Sequence, residues 1–295
     1  MRSRLKVACL GHRIYFENHF VERSCSRYNV EWFDYDHHSP VVYEAIKLFC
    51  PDVLLIYRPE LHSEMDLNAL TGVKIGFSTE PFPKISLGTV NTSDETNRRI
   101  SIFSNMSWSS FDAVYHYDAA SSEYCKQAGF GFNGYRLLPI NTDYFFPRLS
   151  TKKIWDVVFV GKATQRRIGI LQRLKSINRP FLWIEHGVFG AGLARLFRQS
   201  RCVLNIHADD LPALEPRVYL AAACGVPVLS DPLSAKNFAL SDWIFEEKMD
   251  ELSFNRIDRI VADMPVDEVK IEKCLTQARA MSASRFIGDV IGEVT

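Results

Sequence analysis

Short apolar runs separated by amphipathic stretches mark the first half of the chain. Continuous apolar runs are typical of strands that are buried on both faces of a parallel sheet. The runs lie at residues 5–10, 30–35, 53–57, 73–77, 113–116 and 135–138. Apolar positions with helical spacing lie between them at residues 16–26, 41–49, 95–105 and 121–127. This alternation predicts βα units with helices on both faces of one sheet.

The pattern restarts after a polar break that begins at Ser150. Further strand-like runs lie at residues 155–160, 181–184, 202–206, 226–230 and 243–245. Helical patterning lies at residues 166–177, 190–199, 216–223, 266–282 and 286–294. We therefore predict an α/β protein with two doubly wound, Rossmann-like domains facing a central cleft, at residues 1–150 and 151–265. We expect the C-terminal helices, at residues 266–295, to cross back to the first domain.

Composition is that of an ordinary globular chain of 295 residues, 47% of them hydrophobic, which allows two domains and argues against disorder. Lys+Arg and Asp+Glu both number 35, so a nucleic-acid binder with a domain-wide positive field is disfavoured. The seven cysteines are scattered without a CxxC pair, and no apolar run is long enough for a signal peptide or a membrane span. We expect a cytoplasmic protein with at most peripheral contact at the inner face of the membrane.

Ligands of open parallel sheets bind at the carboxyl ends of strands, so the residues just after each strand are the first candidates. Gly161 closes the strand at residues 155–160, where a glycine allows a ligand to approach the backbone and the next helix directs free N–H groups at it. Lys162, Arg166 and Arg167 follow, and these cations would neutralise a diphosphate. A tight turn followed by solvent-facing basic residues is the alternative interpretation.

The loop after the strand at residues 181–184 carries His186 and three glycines, Gly187, Gly190 and Gly192. Their spacing is not that of the GxGxxG dinucleotide fingerprint. A plain flexible loop and a loop that holds a ligand therefore both stay open.

A polar loop then leads into the most specific stretch of the sequence. Asn205 and His207 lie at the carboxyl end of a predicted strand. Glu215 precedes Pro216, and proline is favoured at the first position of a helix. Gly225 follows the helix, in the place where glycine commonly ends one.

Residues 217–231, with the sequence Arg-Val-Tyr-Leu-Ala-Ala-Ala-Cys-Gly-Val-Pro-Val-Leu-Ser-Asp, resemble the donor-site helix and strand of GT-B glycosyltransferases. The resemblance is closest to the glycosyltransferase-like domains related to spore-maturation proteins, in which an Arg-Val-Phe-Glu-Ala-x-Ala-Cys-Gly pattern recurs. Residues 156–161, followed by Arg167, resemble the strand and loop that open the second domain of that family. Residues 138–147 resemble the segment that closes its first domain.

The resemblance implies a metal-independent glycosyltransferase that moves a hexosyl or related group from a nucleotide-sugar donor to a hydroxyl of a glycan or small-molecule acceptor. It implies a role in cell-surface glycan or glycoconjugate synthesis, with acceptor binding in the first domain, donor binding in the second and no cofactor besides the donor. The predicted donor-binding residues are Gly161, Lys162, Arg166, Arg167, His186, Asn205, His207, Glu215, Arg217 and Gly225. Leu220 departs from the pattern, because many retaining members carry there a glutamate that holds the ribose.

An acceptor hydroxyl has a pKa far above 7, so a positioned carboxylate or imidazole speeds its attack by taking the proton. His12 follows the first predicted strand and Glu80 the fourth, and we predict these two as the catalytic candidates. A hydrogen-bonded loop residue is the alternative for each.

Three other functions stay open. A nucleotide-sugar epimerase or hydrolase would use the same two-domain fold, and the leucine at position 220 is compatible with a non-catalytic sugar- or nucleotide-binding homologue. The tripeptide Asp34-Tyr35-Asp36 matches the DxD motif of metal-dependent transferases, but it lies in the half where no donor phosphate is expected. His37 and His38 are adjacent and not helically spaced, so we predict no metal site.

Overall fold

The computed structural model describes residues 4–35, 41–86, 89–90, 92, 94–208, 212–263 and 267–294. The chain divides into two compact units. The first comprises Met1–Pro139 and Phe286–Thr295, and the second comprises Ile140–Arg285. The seam at Pro139 and Ile140 precedes the boundary predicted at residue 150, and the last residues return to the first unit.

The first unit contains a six-stranded sheet in which all strands are parallel. Its strands and a small antiparallel hairpin are β1 (Leu5–Gly11), β2 (Tyr28–Asp34), β3 (Val53–Tyr57), β4 (Val73–Ser78), the hairpin strands β5 (Ile85–Ser86) and β6 (Thr89–Val90), β7 (Ala113–His116) and β8 (Gly134–Tyr135). The strand order is β2-β1-β3-β4-β7-β8, so the direction of winding reverses between β1 and β3. Every residue of β3 is buried, as expected of a strand covered on both faces.

The helices of the first unit are α1 (Arg13–Phe16), α2 (Val41–Phe49), α3 (Glu64–Asn68), α4 (Asp94–Ser104) and α5 (Ser122–Gln127). The helix predicted at residues 16–26 is wrong, because only a short turn, Glu17–His19, follows α1. Two carbonyls that a longer helix would use accept other bonds. Tyr57 Oη donates to His19 O at 2.5 Å, and Trp32 Nε1 donates to Val21 O at 2.9 Å.

The second unit repeats the plan with a five-stranded parallel sheet in the order β10-β9-β11-β12-β13. Its elements are β9 (Trp155–Val160), α6 (Gln165–Lys175), β10 (Phe181–Ile184), α7 (Gly190–Arg198), β11 (Ser200–Asn205), α8 (Pro216–Ala223), β12 (Val228–Ser230), β13 (Ile244–Glu246), α9 (Phe254–Ala262) and α10 (Glu268–Ala280). The apolar residues of β9 and β11 pack with α6 and α9 in one core, in which Phe159 and Leu204 have no exposed surface. The winding reverses between β9 and β11.

The last helix, α11 (Ala283–Val294), packs its apolar side on the first sheet. The ring of Phe286 lies 5.4 Å from the ring of Phe77 in β4. Tyr115 Oη in β7 donates to Glu293 at 2.8 Å, and Arg136 pairs with the same carboxylate. These contacts explain why the end of the chain belongs to the first unit.

Across the described ranges, no helix combines the length and the apolar character needed to cross a membrane.

Candidate functional site

The carboxyl edge of the second sheet between β9 and β11 is the point at which ligands of doubly wound folds bind. Gly161 follows β9 there, and Ile206 and His207 follow β11. The helices α6 and α8 both begin at this edge, so their free N–H groups point to it. The sequence therefore brings two helix N-termini and two strand ends to one place.

Gly161 leaves space that the Arg217 guanidinium occupies. A Cβ at Gly161 would lie 3.0 Å from Phe159 Cζ and 3.2 Å from Arg217 Nη2. The Arg217 guanidinium also lies over the Phe159 ring, 5.2 Å from its centroid. Any larger residue at position 161 would displace this guanidinium.

Arg166 is held by a carboxylate from another strand end. Its Nη1 and Nη2 donate to the two oxygens of Asp231 at 2.6 and 2.8 Å. Asp231 follows β12, and it also accepts from the backbone N–H of His207 at 2.8 Å. The pair connects the start of α6 to the loop after β11.

Arg167 is buried and makes structural hydrogen bonds. Its Nε donates to Ile206 O at 2.8 Å, and its Nη1 donates to Lys162 O at 3.0 Å. Its Nη2 donates to Glu215 at 3.3 Å. Arg167 therefore holds together the loops that follow β9 and β11.

Glu215 is the carboxylate on which the cations of this edge converge. It is the N-cap residue of α8, and it pairs with Arg217 and Arg167 while His207 Nδ1 lies 3.6 Å from its Oε1. Burial by itself would raise the pKa of Glu215, but Arg217, His207 and Arg167 outweigh it and lower the pKa to about 2. The carboxylate is therefore charged at every physiological pH.

Several buried polar atoms at this edge have no hydrogen-bond partner among the described residues, and three of them belong to side chains that can donate to or accept from a neutral ligand. They are Asn205 Oδ1, His207 Nδ1 and Arg217 Nη1. Asn205 Nδ2 donates to Ser230 Oγ at 2.8 Å, which leaves the amide oxygen as the available group. Because buried polar atoms normally find partners, these three mark a place where a polar ligand can bind.

Lys162 and His186 are exposed residues of this edge. Lys162 follows Gly161, and His186 lies on the loop after β10, next to β9 in the sheet. Their side chains are therefore available to an anionic ligand.

Gly225 lies at the other end of α8, away from this cluster. Its φ of +70° is in the left-handed region, and a Cβ would lie 2.8 Å from Pro147 Cβ. The glycine is needed to end α8 and turn the chain toward β12. The backbone conformation and the packing against Pro147 therefore explain why position 225 is a glycine. The structure does not bring Gly225 to the predicted donor site.

Leu220 is buried in α8, with 2% of its surface exposed. An apolar side chain in this place offers no hydrogen bond to a ribose. Carboxylates that the structure does place at the carboxyl edge include Glu215, Asp231 and Glu185, whose Oε2 accepts from the backbone N–H of Ala163 at 3.4 Å.

The two catalytic candidates of the first unit lie at the carboxyl ends of different strands. His12 follows β1, and its ring lies 5.1 Å from the ring of Tyr35. Glu80 follows β4, and its Oε1 and Oε2 pair with Arg58 at 2.6 Å and with Arg99 at 3.0 Å. Both oxygens of the glutamate are therefore already bound.

Glu60, a second carboxylate near Glu80, is not among the residues predicted from the sequence. Glu60 follows β3 by three residues and pairs with Arg58, which also pairs with Glu80. The position of Glu60 shortly after a predicted strand could have indicated it, because the end of β3 lies next to the end of β1 in the sheet. Asp231 was missed as a site residue in the same way, although it directly follows β12.

The DxD tripeptide lies only partly in the described chain, because Asp36, His37 and His38 lie outside the described residues. Asp34 Oδ1 accepts from the backbone N–H of Arg13 at 2.9 Å. Among the described residues, no group of three or more His, Cys, Asp or Glu side chains has the geometry of a metal site.

Comparison with known proteins gives a family match within the second unit. Residues 159–284 match the model of a family described as glycosyl transferase-like. This range contains the carboxyl-edge cluster from Gly161 to Asp231. No curated protein sequence matches the chain significantly.

Solved structures resemble the chain in fold at low sequence identity. A UDP-forming α,α-trehalose-phosphate synthase from Burkholderia xenovorans aligns with a TM-score of 0.51 and 8% identity, over 99% of this chain and 99% of that chain. An α,α-trehalose 6-phosphate synthase from Burkholderia multivorans aligns with a TM-score of 0.47 and 10% identity, over 86% and 73% of the two chains. TarM aligns with a TM-score of 0.45 and 9% identity over 86% of this chain, which spans 57% of the TarM chain.

The fold class predicted from the sequence is confirmed. The chain has the α/β architecture of GT-B glycosyltransferases, with two parallel sheets, and residues 159–284 match a glycosyl transferase-like family model.

Proposed function

We propose that the protein is a glycosyltransferase related to the spore-maturation-like domains, and that it transfers a hexosyl or related group from a nucleotide sugar to a hydroxyl acceptor. The observation that carries this proposal is the coincidence of the family match with the cluster at the β9–β11 edge. Within that match lie two helix N-termini, a guanidinium packed against Gly161 and buried polar atoms, among them Asn205 Oδ1 and Arg217 Nη1, that have no hydrogen-bond partner in the described part of the chain. Such a site suits an anionic ligand with several hydroxyl groups.

In this proposal the second unit binds the nucleotide sugar, and Arg217 is its main cation. Arg166 is bound to Asp231 and Arg167 to backbone carbonyls, so both are committed to the fold. Arg217 has a buried Nη1 without a partner among the described residues, and Lys162 is exposed. These two cations therefore reach the diphosphate, while Asn205 and His207 bind hydroxyl groups.

Transfer moves negative charge onto the diphosphate as the bond from the sugar breaks. Arg217, Lys162 and the N-terminal amides of α6 are placed to stabilise that charge, and such preorganised groups are the usual source of catalysis at an anionic leaving group. We propose that the reaction needs neither a metal ion nor a cofactor besides the donor. The acceptor binds to the first unit.

We propose that the protein acts in the cytoplasm, in the synthesis of cell-surface glycans or glycoconjugates. All seven cysteines lie in the described part of the chain and are free thiols, which supports a reducing compartment.

A transfer assay tests the proposed activity. The protein is incubated with tritiated UDP-glucose, UDP-N-acetylglucosamine, GDP-mannose and dTDP-rhamnose. Each donor is tested with and without a mixture of p-nitrophenyl glycosides, and each of these reactions is run with and without EDTA. Label in the glycoside fraction, unchanged by EDTA, is the expected result. Products that form equally well without the glycosides would show an epimerase or hydrolase instead. Nucleotide binding without any turnover would show a non-catalytic homologue.

A further inference from the structure

The carboxyl edge of the first sheet holds a second group of charged residues directly after β3. Arg58 and Glu60 follow this strand, and the end of β3 lies beside the end of β1, where the winding of the sheet reverses. Ligand sites of doubly wound units lie at such points. The place is equivalent to the β9–β11 edge of the second unit.

Arg58 holds a conformation that costs energy. Its φ is +63°, in the left-handed region that an arginine rarely adopts, and its backbone N–H donates to Phe77 O at 3.1 Å. Residues held in this region cluster at functional sites, where the surrounding structure maintains the strained conformation. The conformation places the guanidinium where it pairs with Glu60 on one side and with Glu80 on the other.

The two carboxylates beside Arg58 differ in what their oxygens bind. Glu80 has one guanidinium on each oxygen, Arg58 at 2.6 Å and Arg99 at 3.0 Å. Glu60 pairs with Arg58 through Oε1, whereas its Oε2 is buried and has no hydrogen-bond partner among the described residues. The side chain of Glu60 is 1% exposed. Glu60 is therefore the carboxylate that keeps an oxygen for a ligand.

The surroundings also make Glu60 a stronger base than an ordinary glutamate. Burial raises the pKa of Glu60 above its ordinary value, and the charge of Glu80 adds to this, while Arg58 opposes it. A carboxylate is most effective as a general base when its pKa approaches the working pH.

We propose that Glu60 is the catalytic base of this protein, and that its Oε2 accepts the proton of the acceptor hydroxyl. The inference rests on the proposed glycosyltransferase function. In the step, the acceptor oxygen forms a bond to the anomeric carbon of the donor sugar and its proton passes to Glu60 Oε2. The bond from that carbon to the diphosphate oxygen breaks, and its electron pair leaves with the nucleoside diphosphate.

The oxygen is covered in this structure, so the step requires a side chain to move as the acceptor binds. Arg58 and Glu80 are the neighbours that an acceptor can reach from solvent, because 24% and 17% of their side chains are exposed. An acceptor that displaces the Arg58–Glu80 pair gains access to Glu60.

The test compares Glu60→Gln with Glu64→Gln, the same substitution at an exposed position of α3. Donor affinity is measured by calorimetry, and kcat/KM for transfer is measured from pH 5 to 9 with the sugar nucleotide and p-nitrophenyl glycoside that the wild type uses. Azide serves as a second nucleophile, because it has no proton to remove. It forms a bond from nitrogen to the anomeric carbon and releases the same nucleoside diphosphate.

We expect Glu60→Gln to lower transfer to the glycoside by about 100-fold or more, the usual contribution of a general base. Donor affinity and the azide reaction are expected to stay at wild-type values. The wild-type kcat/KM falls as the pH decreases through the raised pKa of Glu60, and the variant loses this dependence. Glu64→Gln behaves as the wild type.

Equal transfer by Glu60→Gln and the wild type would overturn the inference alone. An equal loss of the glycoside and azide reactions would also overturn it, because it would show a structural role. If the wild type binds no nucleotide and transfers no sugar, the proposed function fails, and the inference fails with it.

Discussion

Arg166 and Asp231 form a bidentate ion pair, with two N–O distances of 2.6 and 2.8 Å. The aspartate is buried and also accepts from the backbone of His207. A planar guanidinium on a carboxylate is the geometry in which arginine binds most strongly. Arg166, which the sequence indicates as a diphosphate ligand, is therefore part of the framework that positions the loop after β11.

The pair predicts a measurable coupling in unfolding. In a double-mutant cycle with Arg166→Met and Asp231→Asn, we expect a coupling of about 2 kcal/mol, because the carboxylate is buried and hydrogen-bonded. The matched control is the exposed pair Lys248–Glu251 at 3.4 Å, for which about 0.3 kcal/mol or less is expected. Urea unfolding measures both cycles. Equal coupling in the two pairs would contradict the framework role.

Gly161→Ala tests the contact between Gly161 and Arg217. The added Cβ would lie 3.2 Å from Arg217 Nη2, so the guanidinium must shift. We expect nucleotide affinity to fall by about tenfold, or about 1.4 kcal/mol, with the fold retained. Gly169→Ala in α6 is the control, because its Cβ meets nothing within 4 Å and alanine favours a helix. An unchanged affinity in Gly161→Ala would argue against a ligand at this edge.

Gly225→Ala is expected to affect stability and not ligand affinity. The left-handed φ of +70° and the close approach of Pro147 both oppose a side chain, so the free energy of unfolding should fall by about 2 kcal/mol or more. Gly129→Ala provides the comparison, since its φ is +77° but no atom lies within 4 Å of the added Cβ. Its expected cost is about 1 kcal/mol, from the backbone alone. A larger cost at Gly129 than at Gly225 would be inconsistent with the packing described.

Two buried histidines predict that the first unit loses stability in mild acid. Burial lowers the pKa of His19 to about 4 and that of His116 to about 3, against an ordinary 6.5. The unfolded chain takes up these protons below pH 6.5 while the folded chain does not, so stability decreases as the pH falls. For the two groups, the expected loss at pH 5.5 relative to pH 7.5 is about 3 kcal/mol.

Hydrogen exchange of peptides from β1 and β3 measures this loss at the two pH values. His116→Gln should remove about half of the pH dependence. His186→Gln, at an exposed position of the second unit, should leave it unchanged. If each strand of the wild type has the same free energy of opening at pH 5.5 as at pH 7.5, these histidines take up protons in the folded state and the prediction is wrong.

The elements that could be predicted from the sequence are those with strong local patterns. Residues 155–160 and 181–184 are strands as predicted, because short and mostly apolar runs suit strands that helices cover on both faces of a sheet. The helix predicted at residues 16–26 is absent, since the backbone is extended at Phe20 and the carbonyls of His19 and Val21 accept tertiary hydrogen bonds from Tyr57 and Trp32. No local pattern contains that information.

The sequence indicates the β9–β11 edge as the candidate site, but it does not assign the roles of the residues there. The rule that ligands bind after strands indicates Gly161 and His207, and the structure brings both to one edge together with Arg217 from the start of α8. Which arginine is available depends on partners that are distant in the chain, such as Asp231 for Arg166. Glu60 was missed for a similar reason, since the burial of its carboxylate depends on the packing of the whole first unit.

The central claim is that the β9–β11 edge binds a nucleotide through Arg217. Isothermal titration of the wild type with UDP, GDP, ADP, CMP and TDP tests it most directly, alongside Arg217→Gln and Arg256→Gln. Arg256 pairs with Glu247 at an exposed position and serves as the matched control. We predict that the wild type binds at least one of these nucleotides, that Arg217→Gln weakens binding by tenfold or more, about 1.4 kcal/mol, and that Arg256→Gln binds as the wild type does. Failure of the wild type to bind any of the five, or equal binding by Arg217→Gln, would contradict the account.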